Sequence, residues 1–209
     1  MDFIKKATMA TVFATLISPV AMADSPFYIG ASAGEADNTD SACKGLVDKC
    51  DKKDTGLKIF AGYEFTDNIA FELDYFDLGE TKFQLRDYPF QNTLVDLDNG
   101  KTTYDGWGVS VVPSIDVAKN LKIFGRIGFV NSTVETKTTI TAVNGNPIPD
   151  TPDKRRSRDM SGRFGAGIQY DLNDQFAVRA EFEKLQNLGD DETGEVDTDF
   201  LTAGIVYKF

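Results

Sequence analysis

The segment from Leu201 to Phe209, LTAGIVYKF, most constrains what this chain can fold into. Leu201, Ala203, Ile205, Tyr207 and Phe209 are apolar at every second position, with Thr202, Gly204, Val206 and Lys208 between them. Period two is the signature of a strand with one apolar face and one mostly small or polar face. An ordinary soluble sheet ending on such an edge invites aggregation. Pairing this last strand with the first removes the edge and turns the apolar face outward, into lipid. A closed barrel in a membrane is therefore expected, with a soluble edge strand as the alternative.

The same alternation recurs along the chain. Phe27–Gly34, Leu57–Phe65, Ile69–Phe76, Gly106–Pro113, Leu121–Phe129, Arg163–Tyr170 and Phe176–Glu183 each place apolar residues on one face. With the closing segment they predict an all-β fold, an eight-stranded antiparallel up-and-down transmembrane β-barrel. The connections alternate between short turns (Thr66–Asn68, Asp116–Asn120, Asn173–Asp174) and long polar stretches. The stretches Glu35–Asp54, Gly79–Thr103, Asn144–Arg158 and Gln186–Asp197 read as loops, and Thr133–Thr141 reads as strand projecting beyond the membrane. Short turns at one end and long loops at the other are the pattern of outer-membrane barrels. Aromatics mark both strand ends. Phe27, Phe65, Tyr170, Phe176, Tyr207 and Phe209 lie toward the short turns, and Tyr75 and Trp107 toward the long loops. Two such girdles suit a lipid–water interface.

Met1–Ala23 has a basic start (Lys5, Lys6), a mostly apolar run from Ala7 to Val20, and small residues at Ala21-Met22-Ala23. It reads as a cleaved signal peptide, leaving the barrel as residues 24–209. In an exported chain the cysteine pair Cys43 and Cys50 reads as a disulfide stapling a small loop. The formal charge of −11 argues against nucleic acid as a partner.

Asp54–Phe65 (DTGLKIFAGYEF) and Asp74–Gly79 (DYFDLG), together with the initial Phe-Tyr-Ile-Gly and the final Tyr-Lys-Phe, resemble strands of the eight-stranded transmembrane domain of the outer membrane protein A (OmpA) family. The resemblance spans the whole mature chain through loose motifs. It implies residence in the bacterial outer membrane, with lipid and lipopolysaccharide as surroundings. It also implies that the insertion machinery reads the final strand, through Tyr207 and Phe209. Full-length members carry a periplasmic peptidoglycan-binding domain after the barrel. With Phe209 last, a barrel without that domain is expected, and cell-wall binding is not carried over.

The sequence contains no histidine, which removes Ser/His/Asp hydrolysis and His-based zinc sites. No enzyme activity and no cofactor or metal are expected. Asp96 and Asp98 make only an incomplete calcium ladder, and Asn99-Gly100 reads better as a hairpin turn. The predicted inward face carries Lys58, Lys122, Arg126, Arg163, Arg179 and Lys208 against Glu64, Glu72, Asp74, Glu181 and Glu183. Charges shielded from water require partners. A salt-bridge network filling the lumen therefore outweighs an acid–base role for the carboxylate pairs Glu72/Asp74 and Glu181/Glu183. In the OmpA family such pairs have been proposed as gates. Taking Asn173-Asp174 as the turn sets Phe164 opposite Phe182 and Arg163 opposite Glu183, with Arg126 and Lys122 as candidate partners of Glu181. Outside, Lys154, Arg155, Arg156 and Arg158 form a basic run suited to lipopolysaccharide phosphates.

The expected role is that of a small outer-membrane barrel, structural or surface-interacting, with at most slight pore activity. An adhesin acting through its long loops, a soluble periplasmic ligand-binding barrel and a carboxylate enzyme are the alternatives. The loop partner stays open.

Overall fold

A computed structural model describes residues 25–40, 47–51, 53–90, 93–143, 146–188 and 196–209. The signal peptide and Cys43 lie outside the described residues, and so does the predicted disulfide. The strands are β1 (Phe27–Asp40), β2 (Val47–Asp51), β3 (Lys53–Thr66), β4 (Ile69–Phe90), β5 (Thr93–Ala118), β6 (Leu121–Val143), β7 (Asn146–Asp171), β8 (Phe176–Leu188) and β9 (Val196–Lys208). Their order is β2-β4-β3-β1-β9-β8-β7-β6-β5, and β4 pairs with β5 to close the sheet. The short β2 continues the β3–β4 hairpin upward, with Cys50 opposite Phe83. The other eight form the barrel wall. Every pairing is antiparallel.

The seam runs between first and last strands, as the closing segment predicts. Ile29 faces Tyr207, Ala31 faces Ile205 and Ala33 faces Ala203. Along the wall, side chains alternate between a lipid-facing set and a buried set. Phe71, Leu73, Val109, Ile127, Phe129, Ile168 and Ile205 are exposed, whereas Lys58, Glu72, Arg126 and Glu181 are buried. This inside-out pattern rules out the soluble binding barrel, which needs its apolar face inward. At the short-turn end the aromatic girdle packs on itself, with the Phe27 and Tyr63 rings 5.0 Å apart and Phe176 and Tyr207 5.2 Å apart. No described helix is long and apolar enough to cross a membrane.

The structure corrects three sequence-based expectations. First, most of the four polar stretches read as loops are strand. A membrane strand needs only about 9–11 residues, yet β5 and β7 have 26 residues each, β6 has 23 and β4 has 22. Above the girdle of Tyr75 and Trp107 the patterning inverts. Leu78, Tyr104, Val134 and Leu188 turn inward and are fully buried, while Glu80, Thr103 and Glu135 lie on the outer face, which meets water instead of lipid. Second, Asn99-Gly100 is not a hairpin turn. It lies within β5, where Gly100 faces Phe83 and the register against β6 shifts between Asp98 and Lys101.

Third, the β7–β8 hairpin slides by one pleat. Ala166 faces Phe182, Phe164 faces Lys184 and Arg163 faces Leu185. The cause is the turn. The Asn173 side chain accepts hydrogen bonds from the backbone N–H groups of Gln175 (2.9 Å) and Phe176 (2.8 Å), which widens the turn by an Asx-type closure. A slide of one pleat keeps each residue on its face.

One bulge changes faces. Asp77 faces Asp105, but Glu80 faces Thr103, so β4 carries an extra residue there. Gly79 sits at this bulge with φ +76°, a left-handed conformation that glycine adopts without strain. Beyond it Thr81 and Phe83 point inward, and Glu80 and Lys82 outward.

Candidate functional site: a layered lumen and a basic outer rim

The lumen is filled in layers. Its middle layer is a network of four cations, Lys58, Arg126, Arg163 and Arg179, and four carboxylates, Glu72, Asp74, Glu181 and Glu183, each at most 7% exposed. They come from five strands, β3, β4, β6, β7 and β8, and simple alternation turns each of them inward. Arg126 on β6 is the hub. Its Nη2 donates to Glu72 Oε2 and its Nε to Glu181 Oε1, both at 2.5 Å. Arg163 grips Asp74 with both terminal nitrogens, Nη1 at 2.8 Å and Nη2 at 2.5 Å, and donates to Ser110 Oγ at 2.6 Å. Lys58 donates to Glu181 Oε2 at 2.7 Å and to Glu183. The charges balance, which low-dielectric burial demands.

At the lower edge of this layer, toward the short turns, Arg179 donates from Nη1 to Glu72 Oε1 at 2.6 Å. Its guanidinium lies between the Phe60 and Phe124 rings, 4.7 and 4.8 Å from their centroids. Tyr28 donates its hydroxyl to the same Glu72 oxygen at 2.6 Å. The Tyr28 and Phe60 rings lie over Gly62 and Gly30, the residues paired with them, where a Cβ would fall within 2.1 to 2.2 Å of ring carbon. Beneath these rings a vestibule of about 30 Å³ is lined in part by Glu64, Lys122, Gln169 and Lys208.

Above the charged layer lies a second, apolar fill. Phe76, Leu78, Tyr104, Val130, Val134, Leu185, Leu188 and Phe200 form one cluster, each at most 1% exposed. The alternation does predict apolar residues at inward positions here. The polar outer faces of the same segments disguise them as loop.

Eight of the eleven predicted lumen residues thus meet in one network. Three do not. Lys122 lies 3.9 Å from Glu64 and does not reach Glu181, and Lys208 pairs with Asp171 at 2.8 Å. These pairs sit at the vestibule, where water reaches them. Lys58, which no sequence pairing assigned to Glu181, takes that role. Phe209 stands beside Tyr207, ring centroids 5.1 Å apart, and donates its N–H to Phe27 O at 3.2 Å.

The basic run divides by parity. Lys154, Arg156 and Arg158 alternate on the outer face of β7, opposite Lys137, Glu135 and Thr133. Arg155 shares the inward register of Ser157 and faces Thr136, so it does not join them. Glu135 lies between Lys137 Nζ (2.7 Å) and Lys154 Nζ (3.0 Å). The hydrogen bond from Lys137 is the largest influence and lowers its carboxyl; burial opposes it, and the hydrogen bond from Lys154 adds to the lowering, so the group stays below the usual glutamate range. Asp105 moves the other way, raised first by burial and then by the neighbouring Asp77. A depressed carboxyl contributes stability above its unfolded value of about 4.3, lost as pH falls through the folded value. Carboxyl ¹³C titration of Glu135 should therefore show a midpoint below that of an exposed glutamate. In Lys137→Gln/Lys154→Gln it should move up toward the ordinary value. An unchanged midpoint in that variant would show that the lysines do not set it.

Residues 22–209 match the OmpA-like transmembrane domain. Outer membrane protein A of Escherichia fergusonii is 24% identical over 202 residues, covering 94% of this chain and 52% of the relative. Outer membrane protein P5 of Haemophilus influenzae is 26% identical over 196 residues, covering 88% of this chain and 52% of the relative. The chain thus spans about half the length of the curated relatives it matches. Among solved structures, Neisserial surface protein A superposes with a TM-score of 0.54 at 19% identity, covering 88% of this chain and 98% of its own. Ail, the attachment invasion locus protein of Yersinia pestis, superposes with a TM-score of 0.53 at 17% identity, covering 90% of this chain and 100% of its own. These superpositions carry the fold.

Proposed function

The chain belongs to the OmpA-like transmembrane domain family of outer-membrane barrels, and from that premise we propose that it works as a closed, non-catalytic surface barrel presenting its extended strands to the outside. The single observation that carries this reading is strand length. β4 to β7 continue far past the span of a membrane, with water-facing polar residues outside and an apolar fill within. Such extensions exceed what spanning the bilayer requires and can hold a binding surface at a distance from it. The layered lumen supports a role without appreciable conduction. One structural neighbour is by name an attachment invasion locus protein, which fits an attachment role for the projecting hairpins.

In this reading residues 1–23 are removed on export, Cys43 and Cys50 staple the first outer connection, and Tyr207 and Phe209 serve recognition by the insertion machinery. Lys154, Arg156 and Arg158 meet lipopolysaccharide phosphates beside the membrane.

The experiment is to shorten the two longest hairpins, deleting residues 83–99 and 139–152 separately and together, in cells expressing the chain. The trimmed barrels should still reach the outer membrane and still migrate as heat-modifiable bands. They should lose adherence to cultured epithelial cells or to a coated surface. Adherence equal to that of the full chain would remove the attachment reading and leave an envelope-structural one.

A further inference from the structure

The outer face of the extensions carries a row of lysines that no linear run reveals. Lys82 on β4 faces Lys101 on β5, Lys101 faces Lys137 on β6, and Lys137 faces Lys154 on β7. Like charges directly opposite one another on neighbouring strands destabilise a sheet. Here four stand in register, in a chain whose formal charge is −11. At about 4.8 Å between strands the row is roughly 14 Å wide. The side chains of Lys82, Lys101, Lys137 and Lys154 are 66%, 44%, 58% and 57% exposed. Two glutamates brace them. Glu80 joins Lys82 (2.9 Å) and Lys101, and Glu135 joins Lys137 and Lys154. An ammonium has three donors, so a lysine bound to one carboxylate oxygen still offers N–H groups to a further anion. Arg156 and Arg158 continue the positive face down β7.

The lipid face beneath identifies the occupant. On the same four strands, below the row, Tyr75, Trp107, Phe129 and Met160 are exposed toward the membrane. From Trp107 up to Lys101 is roughly 20 Å along the strand, or roughly 15 Å of height at the usual strand tilt. A glycerophospholipid places its phosphate at the aromatic girdle, where Asp77 and Asp105 stand opposite each other and repel it. An anion reaching the lysine row from the bilayer needs a long polar head.

We propose that Lys82, Lys101, Lys137 and Lys154, with Arg156 and Arg158, form a binding site for the phosphorylated oligosaccharide head of an outer-leaflet glycolipid, whose acyl chains lie against the aromatic face below. The site rests on the outward orientation argued under the proposed function. It extends the β7 contact across three further strands and leaves Arg155 out. The bulge at Gly79 builds it, because without the extra residue Lys82 would point into the barrel.

The test uses the folded barrel in a non-ionic detergent and a fluorescent rough-type lipopolysaccharide, intact or enzymatically dephosphorylated. Replacing all four lysines by glutamine should weaken capture of the intact glycolipid about tenfold or more, since each exposed charge contributes a fraction of a factor of ten. Binding should also become less sensitive to salt. Wild type should bind the dephosphorylated glycolipid as weakly as the variant binds the intact one. Lys53→Gln/Lys184→Gln, which removes exposed cations elsewhere, should bind as wild type. If the fourfold variant does not refold, Lys101→Gln/Lys137→Gln carries the test. Capture within twofold of wild type in the lysine variants, or equal capture of the dephosphorylated form, overturns the site. Equal binding of soluble tripolyphosphate reassigns the row to free polyanions and overturns the glycolipid. The hairpin tips are intact in all these variants, so failure here leaves the adherence result standing on its own.

Discussion

Arg126→Met is expected to lower the unfolding free energy of the vesicle-inserted barrel by about 3 kcal/mol, read from urea titration. Breaking a buried pair by removing one partner costs about 3–5 kcal/mol, because a charge is left uncompensated. The lower end applies here. Glu72 keeps Arg179, and Glu181 keeps Lys58, when the hub is gone. The network is then one cation short, against Glu72, Asp74, Glu181 and Glu183. Neutralising the surplus should restore it. Arg126→Met/Glu181→Gln should recover much of the loss, since it leaves three cations on three carboxylates (Lys58 on Glu183, Arg163 on Asp74, Arg179 on Glu72) and no uncompensated buried charge. An Arg126→Met barrel that unfolds at the wild-type urea midpoint would show that the charges pair without holding the wall.

The second large effect concerns Phe200. Phe200→Ala should cost about 3–5 kcal/mol for an emptied aromatic site, because the ring is 1% exposed and fills the space over Gly56. Its consequence for conduction depends on the layer below. The apolar fill and the charged network close the lumen in series, so opening either one alone leaves the other shut. In planar bilayers Glu181→Ala, Arg163→Ala and Phe200→Ala should each raise small-ion conductance slightly. Phe200→Ala/Glu181→Ala should raise it well beyond their sum. If Glu181→Ala alone conducts as well as the double variant, the charged layer is the whole closure and the apolar fill plays no part in it.

That second closure shows where reading the sequence stops. Alternation assigns faces wherever lipid imposes it. Leu73, Val109, Ile127 and Ile205 go out because hydrocarbon lies there, and Glu72, Arg126 and Glu181 go in because charge cannot stay in hydrocarbon. The strand number, the closing seam and the inward orientation of the charges follow from that one rule. Above the membrane the rule lapses. Water accepts Glu80, Thr103 and Glu135 on the outer face, so the segments holding Leu78, Tyr104 and Val134 inside look polar overall and read as loop. Only the long-range pairing of β4 to β7 makes them strand.

Register is the other quantity that period two leaves free. A slide of one pleat preserves every face, so Phe164 opposite Phe182 and Phe164 opposite Lys184 satisfy the alternation equally. The Asn173 side chain, by widening the turn, selects the second. The Gly79 bulge does the reverse, changing faces within a single strand. Composition and spacing thus determined that this chain is a barrel, which residues face lipid and that its lumen is charged. Tertiary structure decided which charges meet, how far the wall rises above the membrane and which lysines stand side by side. Those depend on turns, bulges and strand partners distant in sequence, whereas the faces depend only on the solvent each side chain must meet.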